Sequence, residues 1–167
     1  MRQPFYIVII GILILIAGQV FAAAAGAAAA AGVIEPLDIN KTADLRFGRV
    51  FYSAAAHTIT VAPDGTRIAS DNAILGDGDP VSAAAFLLHG QPGDTFHIFP
   101  PPKTITLTNG AQSLLITDFT CSIKTSNNGV LGSDGMFLFT YGATAYIDAG
   151  QAPGLYTGTF TIAVNYQ

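Results

Sequence analysis

Tyr156-Thr-Gly-Thr-Phe-Thr-Ile-Ala-Val-Asn-Tyr-Gln167 closes the chain. Tyr156, Gly158, Phe160, Ile162, Val164 and Tyr166 fall on one side of an extended backbone, and threonines, Ala163, Asn165 and Gln167 fall on the other. A period of two is the pattern of a half-buried strand. Because this strand reaches its end on an aromatic residue with no polar tail, the terminus is expected to be tied into a sheet.

Working upstream, the same period recurs in short runs. Gly150-Gln-Ala-Pro-Gly154 is a turn, preceded by expected strands over Ala143–Asp148 and Met136–Tyr141 and by a glycine-rich loop over Asn127–Gly135. Thr104–Thr108 and Ser113–Ser122 flank Asn109-Gly110, a two-residue hairpin signal. Thr95–Phe99 stops at Pro100, Pro101 and Pro102, three residues with no N–H to donate. Before it come Ala84–Leu88 with the turn Gly90–Gly93, a loop over 70–83, and His57–Ala62, which returns through Pro63-Asp-Gly-Thr66 into Arg67–Ala69. Leu45–Phe51, with Gly48 marking a bulge or close approach, and Ile34–Ile39, held to an edge by Pro36, complete the set. No window outside the N-terminal segment has a helical period. About ten short strands with turn signals every eight to twelve residues predict an all-β antiparallel sandwich over residues 33–167. Its core is expected to draw on Phe47, Phe86, Phe96, Leu107, Leu115 or Ile116, Phe139, Phe160 and Ile162. There is no internal repeat and no interdomain linker.

The N-terminus carries a different signal. Met1-Arg2-Gln3 is a short basic start, Phe5–Ile16 is almost unbroken in large apolar residues, and Val20 and Ala22 sit as a signal peptidase reads them. Residues 1–22 are therefore expected to be a helical signal peptide, with further small-residue cleavage choices up to about 31. If it is retained, the segment is long enough to anchor in a bilayer, and this is the only membrane contact expected. Removing it takes only Arg2 among the charges, leaving six Lys and Arg against eleven Asp and Glu. An acidic domain of this kind has no electrostatic attraction to a phosphate backbone, so nucleic acid is not an expected partner. Cys121 is the only cysteine, so the domain holds no internal disulfide, and burial as a small apolar residue is the expected role.

The run Gly142–Tyr166, with Asp44-Leu-Arg-Phe-Gly48 and Val61-Ala-Pro-Asp-Gly65 upstream, resembles a bacterial secreted family catalogued as a domain of unknown function, DUF 4402. The resemblance covers nearly all of the mature chain. It implies an envelope or secreted protein with an immunoglobulin-like sandwich, and it brings no catalytic residues. The C-terminus also resembles, in part, the last strand of chaperone-usher pilins: Tyr166 is penultimate, Phe160, Ile162 and Val164 alternate before it, and Gly154 lies fourteenth from the end. That resemblance implies a periplasmic chaperone or like subunits as partners, engaging a strand marked by Gly154, Tyr156, Phe160, Ile162, Val164 and Tyr166. The chain departs from pilins in lacking a disulfide and in starting its mature form with alanine and glycine where those proteins carry bulky alternating residues.

Catalytic and metal chemistry find little support in the residue pattern. His57, His89 and His97 have no partners at metal-ligand spacing. Asp71, Asp77 and Asp79 lie in a glycine-bearing loop that could offer oxygens to calcium, but they do not form a full Asp-x-Asp-x-Asp-Gly series closed by a glutamate. No Gly-x-Ser-x-Gly elbow is present. No cofactor and no catalytic residues are expected, and the protein is not expected to be an enzyme. The expectation is an exported bacterial envelope or surface protein of structural or adhesive type, in its sharper form a fimbrial-like subunit. The alternative is a monomeric secreted module that recognises a glycan or protein through loops 70–83 and 126–135.

Overall fold

The computed structural model describes residues 28–51, 53–71, 74–124 and 127–167. The expected signal helix over 1–22 lies outside the described residues. Contacts divide the chain into Met1–Gly32 and Val33–Gln167, and every strand belongs to the second unit.

Among the described residues, twelve strands form that unit: β1 (Asp38–Ala43), β2 (Arg46–Phe47), β3 (His57–Val61), β4 (Arg67–Ala69), β5 (Val81–Ser82), β6 (Ala84–His89), β7 (Thr95–Phe99), β8 (Ile105–Thr108), β9 (Ser113–Cys121), β10 (Asn128–Val130), β11 (Met136–Ile147) and β12 (Ala163–Tyr166). All pairings are antiparallel. The predicted all-β sandwich is present, as a seven-stranded sheet facing a three-stranded sheet ordered β10-β7-β12, with β2 and β5 as a separate pair.

The seven-stranded sheet is built around β11. Tyr141 has Ala84 of β6 on one side and Cys121 of β9 on the other, whereas Thr144 has Thr60 of β3 and Thr117 of β9. Strands β6 and β3 therefore follow one another along a single edge of β11. The sequence reading divided this strand into two at Gly142. In the fold it is one strand of 12 residues, and Gly142 marks close approach instead: a Cβ there would sit 2.1 Å from the Val61 carbonyl oxygen.

Side-chain parity explains one ambiguity. In β9, Leu114 and Ile116 point inward, but after Asp118, which takes φ 51°, the inward residues are Phe119 and Cys121. A bulge opposite Gly142–Thr144 shifts the register, and Asp tolerates the left-handed conformation it needs. Ile116 is fully buried and Leu115 is 43% exposed.

Several boundaries differ from those expected. The Asn109-Gly110 turn is a four-residue loop between paired Thr108 and Ser113, because the Asn109 Oδ1 accepts the N–H groups of both Ala111 (3.0 Å) and Gln112 (2.8 Å). The first strand starts at Asp38, beyond Pro36, and the loop 127–135 contributes β10. The hairpin at Pro63–Thr66 forms as read: Gly65 N–H donates to Ala62 O (2.9 Å), and Asp64 Oδ1 accepts from Thr66 N–H (2.9 Å).

Inside, Phe96 and Ile98 of β7 pack with Phe86, Leu88, Phe139 and Tyr141 of the large sheet. Phe86 stacks on Phe139 with centroids 5.4 Å apart, and Tyr141 meets Phe139 edge-on at 6.0 Å. Burial, and then Cys121 beside it, push the Tyr141 phenol above its ordinary range. At the end of β12, Tyr166 packs against this cluster while its hydroxyl accepts from Gln91 N–H (2.7 Å) and donates to Glu35 O (2.8 Å). One phenol thus joins the last strand, the β6–β7 turn and the entry to β1.

Tyr166→Phe is expected to lower stability by about 1 kcal/mol, the net worth of a partly buried hydrogen bond, seen as a lower urea midpoint at unchanged slope. The Asp64 carboxyl is held below its ordinary value chiefly by the Thr66 N–H. A depressed folded-state pKa stabilises above the ordinary aspartate range and is lost as pH falls through the folded value. Asp64→Asn should accordingly flatten the loss of stability below about pH 4, measured by denaturant midpoints across pH.

Candidate functional site

The inner face of the large sheet has a second apolar area, formed by Leu114 and Ile116 of β9 and Ala143 and Ala145 of β11. Phe96, Ile98 and Leu131, the buried residues contributed by the small sheet and its flank, all belong to the other cluster. What lies over the second area is a cleft of about 860 Å³, bordered by segment 44–51 on one side and 154–160 on the other. Of the expected core residues, Phe96, Phe139, Ile116 and Phe86 are buried. Phe47, Leu107 and Phe160 are only half-buried, and all three line the cleft. Their partial exposure follows from their place along the cleft, where they cover the buried floor and no small-sheet strand covers them.

The first wall is held almost entirely by backbone. Strand β2 pairs with β5, Phe51 N–H donates to Ile74 O (2.7 Å), and Gly76 N–H donates to Arg49 O (3.0 Å). Arg67 fastens the wall from behind: Nη1 donates to Phe47 O (3.1 Å) and Arg49 O (3.2 Å), and Nη2 to Gly76 O (3.1 Å). This requires glycine at 48, where φ is +74° and a Cβ would lie 2.6 Å from Arg67 Nη1. Ser82 Oγ donates to Asp44 O (2.7 Å) at the other end of the strap. In the sequence Arg67 stands out only as a lone cation on a short return strand otherwise made of small and apolar residues.

The second wall is the C-terminal stretch, and here the expected continuous strand is corrected. Thr157 bridges Thr108 of β8 by two backbone bonds (2.9 and 3.0 Å), residues 158–162 pair with no strand, and β12 then pairs with β7. The chain is changing sheets, so between the two edges it forms no ladder, while the alternation of side chains persists. Gly158 presses on β8, a Cβ there lying 2.7 Å from Thr106 O.

The expected partner-strand residues divide by position. Gly154 abuts Asn109 at the rim. Tyr156 packs on the cleft floor, its hydroxyl donating to Ala152 O (2.8 Å) and accepting from Gln151 Nε2 (2.8 Å). Phe160 lies 6.4 Å from Phe86 and 5.3 Å from Phe119, ring to ring. Ile162, Val164 and Tyr166 turn toward the Phe86–Phe139 core. In the sheet order β12 is an edge, and among the described residues no strand pairs its second side.

Charges sit on the rim. Asp44 pairs with Lys41 and with Arg46 (3.4 Å), and Arg49 with Asp79 (3.3 Å), all with about half-exposed side chains. Such pairs add little stability. The Lys41 ammonium bonded to Asp44 is the main cause holding that carboxyl below its ordinary value.

The remaining candidates are scattered. His57 Nε2 is 2.8 Å from Ser53 Oγ, His97 Nδ1 bonds Asn128 Oδ1, and His89 stands across from Asp38 and Met136. Among the described residues no three His, Cys, Asp or Glu side chains converge as metal ligands. Cys121 is half-buried.

Arg67→Ala is expected to free the first wall. Amide exchange should accelerate at Phe51 and Gly76, and global stability should fall by about 2–3 kcal/mol, the scale of losing charged hydrogen bonds. Unchanged exchange at both amides would remove the strap role from Arg67.

No curated protein and no solved structure matches the chain. A family model does match, described as Domain of unknown function (DUF4402) and spanning residues 37–166, from the residue before β1 to the end of β12. The chain belongs to the DUF4402 family.

Proposed function

We propose that this chain is an exported bacterial envelope or surface protein without catalytic activity, a structural subunit of fimbrial type whose sandwich is completed by a strand from a partner. The observation that carries the reading is the cleft between segments 44–51 and 154–160. Its floor, formed by Leu114, Ile116, Ala143 and Ala145, is covered by Leu45, Phe47 and Tyr156 of these two segments and not by a strand of the small sheet, while Phe47, Leu107 and Phe160 along the cleft stay half-buried. The second wall leads on into β12, which has one edge unpaired among the described residues. Proteins ordinarily cover a bare edge of this kind, and the half-buried apolar side chains along the cleft have further surface to bury. An extended segment supplies both needs at once, its backbone pairing with the edge and alternate side chains filling the cleft. The expected suppliers are a periplasmic chaperone before assembly and like subunits after it.

The test uses Leu107→Glu, which places a carboxylate in the cleft from a half-buried position on β8. The unmodified chain, isolated from the periplasm, is expected to co-purify with a chaperone or to form filaments. The variant is expected to lose that association by at least tenfold while keeping its β circular dichroism. An unmodified chain that refolds alone to full stability and stays monomeric would sink the reading. If Leu107→Glu proves unfolded, Thr159→Pro on the exposed second wall serves the same comparison.

A further inference from the structure

The outer face of the three-stranded sheet is a separate surface. Phe96, Ile98, Val164 and Tyr166 point into the core, so Thr95, His97 and Phe99 of β7 and Ala163, Asn165 and the following Gln167 point outward, joined by Asn128 and Val130 of β10. None of these eight is charged. The register sets Asn128, His97 and Asn165 in one row across all three strands.

The row is ordered by its own bonds. His97 Nδ1 lies 2.5 Å from Asn128 Oδ1, and Gln167 Nε2 donates to the same oxygen at 3.3 Å. Among the described residues, His97 Nε2, Asn128 Nδ2 and the Asn165 carboxamide make no hydrogen bond within the protein. Next to the row stands Phe99, 46% exposed because its cross-strand neighbour is Ala163. The His97 ring meets it at 84° with centroids 4.8 Å apart, which fixes the ring upright on the sheet.

We propose that this face binds a neutral glycan. The apolar C–H face of a sugar ring would lie against Phe99, and its hydroxyls would meet the Asn165 carboxamide, which donates and accepts, the Asn128 Nδ2, which donates, and His97 Nε2, which accepts because Nδ1 carries the proton given to Asn128 Oδ1. The absence of charge fits an uncharged ligand. The size of the face argues against a protein partner: three strands at ~4.8 Å spacing and about four residues at ~3.3 Å give roughly 200 Å², a quarter of the ~800 Å² per partner of a stable protein interface. The face shares no residue with the cleft; Ala163, Asn165 and Gln167 lie on or just after β12, but a strand pairing its edge would leave their outward side chains in place.

The test is calorimetric titration of the full-length chain with cellohexaose, maltohexaose and mannohexaose. At least one is expected to bind. Phe99→Ala is expected to weaken that binding tenfold or more and Asn165→Ala at least threefold, both residues being exposed and the variants retaining the parent's melting temperature. Leu107→Glu in the cleft should leave it unchanged. The proposal fails if none of the three binds at millimolar concentration, or if binding survives Phe99→Ala.

Discussion

The large sheet carries more apolar inner surface than the small sheet can cover, and the architecture follows from that imbalance. Over the half where β7 and β12 lie, Phe96 and Ile98 close the interior against Phe86, Leu88 and Phe139. Over the other half, Leu114 and Ile116 are covered instead by Leu45, Phe47 and Tyr156, from two stretches that border a cleft and belong to neither main sheet over most of their length. Burial of apolar area is the dominant favourable term in folding. Here the cover is side chains from two wall segments and not a paired strand, and Phe47, Leu107 and Phe160 keep part of their apolar surface exposed.

The two walls reach similar positions by different physics. Segment 44–51 is short of ladder partners and is held by β5, by Gly76 and by a guanidinium that collects three carbonyl oxygens. Segment 154–160 is held at its ends, by the Thr157–Thr108 bridge and the Tyr156 hydroxyl on one side and by β12 on the other. Tyr166 then ties β12 to Glu35, so the point where the N-terminal part of this unit enters its sheet is fixed by the chain's penultimate residue. Both ends of the unit meet beside the unpaired edge.

The small sheet serves two surfaces through one alternation. Its inward residues seal the core, and its outward residues form an uncharged face on which His97, Asn128 and Phe99 are mutually ordered. A surface subunit presenting such a face would join structural and recognition roles without placing either in a loop.

Much of this was legible before any fold was known. Period-two runs located His57–Val61, Ala84–His89, Thr95–Phe99, Ile105–Thr108 and Ser113–Cys121 to within a residue or so, because side-chain alternation is a local property of extended backbone. The Pro63–Thr66 turn was equally local. The C-terminal residues Tyr156, Phe160 and Ile162 were recognised as significant, yet their backbone state was not: alternation looks the same whether an extended segment is paired on two edges, on one, or on none. Pairing depends on which distant strand lies within reach, and that was decided only when β8 and β7 took their places in different sheets. The same holds for Arg67, whose acceptors at Phe47, Arg49 and Gly76 are brought to it by the path of the strap. By itself the sequence determined that strands form and which side of each is apolar. Only the tertiary structure decided how much of that apolar surface finds cover, because coverage is a count of strands per sheet and not a property of any one of them.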